Sequence, residues 1–261
     1  MRRLVTLPLV LLGLTACFDF AGDRGELGFL TDARLDLHTA WTPAYALAEG
    51  TSPRLAVGEI LATGQEPKHV QLSVDGGPAR EDVVLDGHGR AVVTAEADGV
   101  RDRFVARWRP VEALQVGRML GEDLEEVGVL PGVPSPLGIG LRDRRGRPLG
   151  FRLADLDIDG TADVWEDDGL VLVATDTEAS VTIGFADLTA TVTLVPVDPE
   201  TIELTVERLE HDGRCLLVAR ASSQGLPFLD LGPVRLSHTS ETSAYAECGE
   251  DVRVARAGAP R

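Results

Sequence analysis

The residues with the sharpest chemistry lie together in Asp155-Leu156-Asp157-Ile158-Asp159-Gly160-Thr161-Ala162-Asp163-Val164-Trp165-Glu166. Acids at positions one, three and five, Gly at six, an acid at nine and Glu at twelve match the spacing of a calcium-binding loop. The chemistry needs that spacing. Alternating carboxylates from Asp155, Asp157, Asp159 and Asp163 converge on one ion, Gly160 permits a sharp turn, and Glu166 chelates with both oxygens. Without a cation the carboxylates repel one another. The flanks oppose helices on either side: Pro148 and Gly150 precede the segment, and Gly169-Leu170-Val171-Leu172-Val173 after it reads as a strand. A solvated Asp/Gly-rich turn between strands is the preferred reading, with bound calcium as the alternative.

Other candidate groups are sparse. His38, His69, His88, His211 and His238 have no paired metal-ligand spacing, and neither a Gly-x-Ser-x-Gly elbow nor a phosphate loop occurs. His88 and His211 sit beside Gly in turn-like segments, where an exposed ring is expected. The chain therefore reads as non-catalytic, with a periplasmic hydrolase or its accessory subunit as the alternative, since catalytic groups can converge from distant strands. The run Arg142-Asp143-Arg144-Arg145-Gly146-Arg147 suggests an anionic partner such as lipopolysaccharide or nucleic acid. Its own Asp and the acidity of the rest favour a solvated turn.

That acidity is pronounced. The 261 residues carry 42 Asp+Glu against 25 Lys+Arg, a net charge of −17. Such a chain offers no diffuse field to draw nucleic acid or an anionic membrane face. At 44% hydrophobic and 26% charged it is a folding chain, and 28 Gly, 15 Pro and 5% aromatic residues suit many short strands and turns.

The N-terminus has the layout of an export signal: Met1-Arg2-Arg3, an apolar run from Leu4 to Gly13, then Leu14-Thr15-Ala16-Cys17. The run is too short to span a bilayer, and no later stretch reaches the roughly 18 apolar residues a span requires. The sequence Leu14-Thr15-Ala16-Cys17 resembles the lipobox of bacterial lipoproteins. That resemblance implies cleavage before Cys17, attachment of more than one long acyl chain to Cys17 (palmitate) and membrane attachment through the lipid. Phe18 after the Cys resembles the outer-membrane sorting pattern. Cys215 and Cys248 then remain in an oxidising compartment, where a disulfide is expected.

Period-two alternation marks the elements. Ala91, Val93, Ala95 and Ala97, the turn Asp98-Gly99, and Phe104, Ala106 and Trp108 opposite Arg103, Arg107 and Arg109 read as a half-buried hairpin. The device recurs with Val181, Ile183 and Phe185, then Ala190, Val192 and Leu194. Both second strands end in Pro-Val, at Pro110-Val111 and Pro196-Val197, an offset of 86 residues. A second echo joins Gly146-Arg147-Pro148-Leu149 to Gly225-Leu226-Pro227-Phe228, each after a strand-like run. This pattern resembles the bacterial Ig-like domains of cell-surface proteins.

The expected fold is thus all-β, with tandem Ig-like β-sandwich modules behind a signal peptide. The expected map is signal peptide 1–16, tether 17–53, first module 54–116, linker 117–136, second module 137–200 and a partial third module 201–261 holding the disulfide. Ala44 to Ala48 suit at most a helical turn, and Met119 to Val127, with Leu120, Leu124 and Val127 at helical spacing, a short linker helix. The expected role is a lipid-anchored envelope protein acting as a binding or structural module, with a surface protein or glycan as partner. A calcium-stabilised adhesion module is the alternative.

Overall fold

The computed structural model describes residues 20–256 apart from 22–23, 34–44, 119–121, 168–169, 212–213, 230–233, 239–240, 244 and 249–252. Among the described residues the chain is all-β, with two single-turn 3-10 helices, Leu153–Asp155 and Pro199–Thr201.

The first module holds β1 (Phe20–Ala21), β2 (Leu27–Thr31), β3 (Tyr45–Ala48), β4 (Arg54–Ile60), β5 (Val70–Val74), β6 (Val83–Val84), β7 (Arg90–Ala97) and β8 (Val100–Arg109). Two sheets, β1-β2-β4-β6 and β3-β8-β7-β5, face each other. The β7–β8 hairpin turns at Asp98 and Gly99, both at positive φ (48° and 85°), the backbone of a two-residue turn that matches strand twist. Alternation sends Ala91, Val93, Ala95, Ala97, Phe104, Ala106 and Trp108 inward, while Arg103 and Arg107 face solvent. Phe29 of the other sheet meets Phe104 with ring centroids 5.9 Å apart, and the Trp108 indole N–H donates to the Thr51 carbonyl at 2.7 Å. Each large aromatic buried this way contributes about 1.5–3 kcal/mol.

The second module holds β9 (Ala113–Arg118), β10 (Glu122–Asp123), β11 (Glu126–Val129), β12 (Ser135–Arg142), β13 (Pro148–Leu149), β14 (Asp157–Gly160), β15 (Asp163–Asp167), β16 (Leu170–Ala174), β17 (Ala179–Phe185) and β18 (Leu188–Pro196). One sheet runs β10-β9-β12-β16-β15, with β13 on β12, and the other β11-β18-β17-β14. By order and direction β9, β12, β16 and β15 hold positions A, B, E and D of an immunoglobulin sandwich, and β14, β17 and β18 hold C, F and G. The first module repeats the scheme as β2, β4, β6 and β5, β7, β8. In both, a short strand runs parallel to the last one: β3 beside β8 and β11 beside β18.

The two hairpins are equivalent. Aligned on their turns, Ala97 and Val100 match Phe185 and Leu188, two residues further along than an alignment on Pro110 and Pro196. Two residues is one pleat, so either alignment keeps the inward face.

The third module holds β19 (Glu203–His211), β20 (Arg214–Ser223), β21 (Leu226–Pro227), β22 (Val234–His238), β23 (Glu241–Ser243), β24 (Tyr245–Glu247) and β25 (Arg253–Arg256). Here β19, β20 and β24 occupy A, B and E, and β23-β22-β25 form a second sheet. Among the described residues no strand takes the place that β8 and β18 fill.

Strand pairing places the module boundaries differently from the sequence expectation. The described residues of the stretch 17–53 supply β1, β2 and β3, with Leu27, Phe29 and Leu47 fully buried in the first core, so these strands belong to the sandwich and not to a tether. Ala44 to Ala48 are extended from Tyr45, because the Tyr45–Ala48 backbone pairs with β8. The expected linker supplies β10 and β11. Glu126–Val129 is a strand whose Val127 and Val129 are buried against β18, so the spacing of Leu124 and Val127 reflects no helix. The start of Met119 to Val127, with Leu120, lies outside the described residues. β9, expected to close the first module, opens the second.

Candidate functional site

The acidic segment is divided between the two sheets of the second module. Asp155 ends the 3-10 turn and accepts from the Arg152 guanidinium at 2.6 Å, the contact that chiefly holds that guanidinium above its ordinary pKa. Asp157 and Asp159 project from β14, exposed, opposite Gly184 and Thr182 of β17. The Asp159 carboxylate accepts from the Gly160 N–H at 2.8 Å. Thr161 and Ala162 then carry the chain across to β15, where Asp163 and Glu166 are exposed and, three apart on a strand, face opposite sides.

The five acids do not converge. Among the described residues no three His, Cys, Asp or Glu side chains are placed to hold a metal ion. A C-to-D crossover places on two sheets the carboxylates that a single loop would gather. Gly160 is needed for another reason: a Cβ there would lie 2.2 Å from the Ser180 carbonyl oxygen, where β14 presses against β17.

Cys215 and Cys248 form the expected disulfide, with Cα atoms 5.4 Å apart. It joins β20 to the end of β24, neighbouring strands of one sheet, and the Cys248 N–H donates to the Cys215 carbonyl at 3.0 Å. Antibody-type domains instead link B to F across the sandwich. Leu14 to Cys17, with His38, lie outside the described residues. His69 and His88 are exposed, and His88 Nδ1 lies 3.7 Å from a Glu49 carboxylate oxygen. His211 and His238 end β19 and β22.

The most elaborate polar construction lies where modules meet. At the first joint, β3 serves both sides: Leu47 enters the first core while Ala48 enters the second. The Ala48 N–H donates to the Gly150 carbonyl, and the Gly150 N–H donates to the Ala46 carbonyl, both at 2.8 Å. Beside them the buried Asp143 carboxylate accepts from Arg109 at 2.9 Å, from the Arg147 guanidinium at 2.9 and 2.6 Å, and from the backbone N–H groups of Arg145 and Arg147. One acid thereby shapes the 143–147 turn and ties it to the end of β8.

The second joint repeats the plan. Gly128 of β11 bridges in parallel to Phe228, as Leu47 bridges to Gly150. Buried Arg118 donates to the carbonyls of Phe228 and Ala221 at 2.7 and 3.1 Å. Leu229 packs in the second core, while Leu130 and Val197 pack against the third.

No protein family matches the chain, and no curated protein matches it in sequence. Among solved structures, domains 5–6 of the S-layer protein SbsC are similar at 15% identity and a TM-score of 0.27, over 64% of this chain and 100% of that one. Domains 4–9 of the same protein give 14% identity and a TM-score of 0.32, over 86% of this chain and 42% of that one. Invasin, a bacterial integrin-binding protein, gives 16% identity and a TM-score of 0.25, over 80% and 50%. The fold assignment rests on the strand order and register above, not on these distant likenesses.

Sequence reasoning missed the joints. The signal is the echo of the two Gly-x-Pro segments. Both are β-hairpin flaps, β12 to β13 and β20 to β21, with Gly146 and Gly225 at positive φ, and both flaps reach the preceding module.

Proposed function

We propose that this chain is a bacterial envelope lipoprotein, attached through acylated Cys17 to the outer membrane, whose Ig-like modules form one continuous non-catalytic stack for binding and spacing at the surface. The observation that carries this reading is the repeated joint. Flexibly strung domains meet through linkers, whereas these modules are joined by a bridge from a strand of one to the next, a buried carboxylate and a buried guanidinium. A stack joined in that way holds its far modules at a fixed height.

Only Phe18 and Asp19 separate Cys17 from β1, a reach of roughly 10 Å at about 3.3–3.6 Å per residue. The first sandwich therefore stands directly at the lipid. Among the described residues no helix is long and apolar enough to cross a membrane. Fractionation of cells carrying the parent chain or Cys17→Ala tests the attachment. The parent is expected in the membrane pellet, released by detergent, and the variant in the soluble fraction. An unchanged membrane fraction for Cys17→Ala contradicts the anchor.

A further inference from the structure

A cavity of about 420 Å³ opens at the first joint, lined by Arg109, Pro110, Glu112, Asp143, Arg144, Arg145 and Arg147. Four guanidinium groups face two carboxylates there, so the site is locally cationic in a chain of net charge −17. The cations are of two kinds. Arg109 and Arg147 are held by Asp143, whose side chain is only 7% exposed. Arg144 and Arg145 are exposed and, among the described residues, their side chains have no acidic partner.

We propose that this cavity binds a sugar unit carrying one phosphate or carboxylate group, an inference that rests on the surface-binding role above and names its ligand chemistry. A guanidinium presents paired N–H donors matched to the oxygens of phosphate or carboxylate. Asp143 fixes the turn that displays Arg144 and Arg145, so part of the ordering cost is met before a ligand arrives. The volume falls in the range of small-molecule sites and far exceeds a bare phosphate. Glu112, whose N–H is fixed to the Arg142 carbonyl at 2.9 Å, supplies an acceptor for sugar hydroxyls, and Pro110 an apolar surface for a ring. The acidic remainder repels an extended polyanion, so one seated anionic group suits the site better than nucleic acid.

Isothermal titration of the detergent-solubilised full chain at low ionic strength tests this, with glucose 6-phosphate, glucuronate, glucose and inorganic phosphate as probes. Saturable binding of glucose 6-phosphate or glucuronate is expected, with none for glucose, at least tenfold weaker binding of inorganic phosphate, and at least a tenfold loss in Arg144→Ala/Arg145→Ala. Both side chains are exposed and, among the described residues, have no acidic partner, so that variant keeps its fold, checked by an unchanged melting temperature. The proposal is overturned if neither anionic sugar binds, if the double variant binds equally well, or if inorganic phosphate binds as tightly as the sugar phosphate. It is also overturned if only vesicles containing phosphatidylglycerol bind in an Arg144- and Arg145-dependent way. Each of these failures leaves the fractionation of Cys17→Ala unaffected, so the ligand and the anchor stand or fall separately.

Discussion

Leu47 and Gly150 face each other across a parallel bridge, and through it a strand of the first sandwich is tied to the second. The bridge is short, yet it places Leu47 in one core and Ala48 in the next. Gly128 and Phe228 repeat the relationship one module later. Two joints of one design imply that the design, and not the individual contact, sets the geometry of the stack.

The second joint depends on close approach. A Cβ on Gly128 would lie 2.9 Å from the Phe228 ring. Gly128→Val is expected to cost about 1–3 kcal/mol through overpacking, and Phe228→Ala about 3–5 kcal/mol through the cavity left behind. Thermal denaturation followed by tryptophan fluorescence and circular dichroism measures both. Full parental stability in Gly128→Val would show that the modules do not press together here.

Asp102 clamps the start of the first module. Burial disfavours its charge, but N–H groups of Arg24, Glu26, Arg103 and Leu27 donate to it and together outweigh that effect, holding its carboxyl below the ordinary value. Because the folded value is depressed, the stabilisation is complete above the unfolded carboxyl value, near 4, and is lost as pH falls through the folded one. Asp102→Ala should cost roughly 3 kcal/mol by stranding buried donors. Asp102→Asn should remove this residue's share of the acid sensitivity, read as a shallower fall in melting temperature below about pH 4.

The disulfide links strands already paired in one sheet and closes a separation of 33 residues. Cys215→Ser with Cys248→Ser should lower the stability of the third module by roughly 3 to 4 kcal/mol on the chain-entropy account. Hydrogen exchange by mass spectrometry should show faster exchange in β19, β20 and β24 and unchanged protection in β7 and β8. Uniform loss of protection would mean that all modules unfold together.

Gly160 sits against the β17 backbone, so Gly160→Ala should destabilise the β14–β17 edge by at least 1 kcal/mol. Because the acids around it point to different sheets, millimolar calcium should leave the melting temperature of the parent unchanged. A calcium-dependent rise, lost in Asp157→Ala/Asp159→Ala, would contradict the separation of those carboxylates.

The sequence made the two hairpins legible because their partners are near neighbours along the chain. Val93 pairs with Phe104 and Val181 with Val192, so one pleat and one turn carry the whole signal. β2 and β3 were hidden because theirs are not: Leu30 pairs with Ala56, and Leu47 with Trp108, far downstream. Gly28 reads as an interruption in sequence, yet a Cβ there would meet the Glu59 side chain at 2.8 Å, a closeness that only the tertiary fold creates. The basic turn was visible as a run of Arg. Its cavity was not, since Arg109, Pro110 and Glu112 come from the end of β8 and the approach to β9.

Small-angle X-ray scattering from the detergent-free Cys17→Ala chain tests the continuous stack most directly. One rigid elongated particle is expected, with a profile reproduced by a single arrangement of the three sandwiches and a measurable increase in flexibility in Gly128→Val. A parent profile that requires an ensemble of independently moving modules would contradict the account.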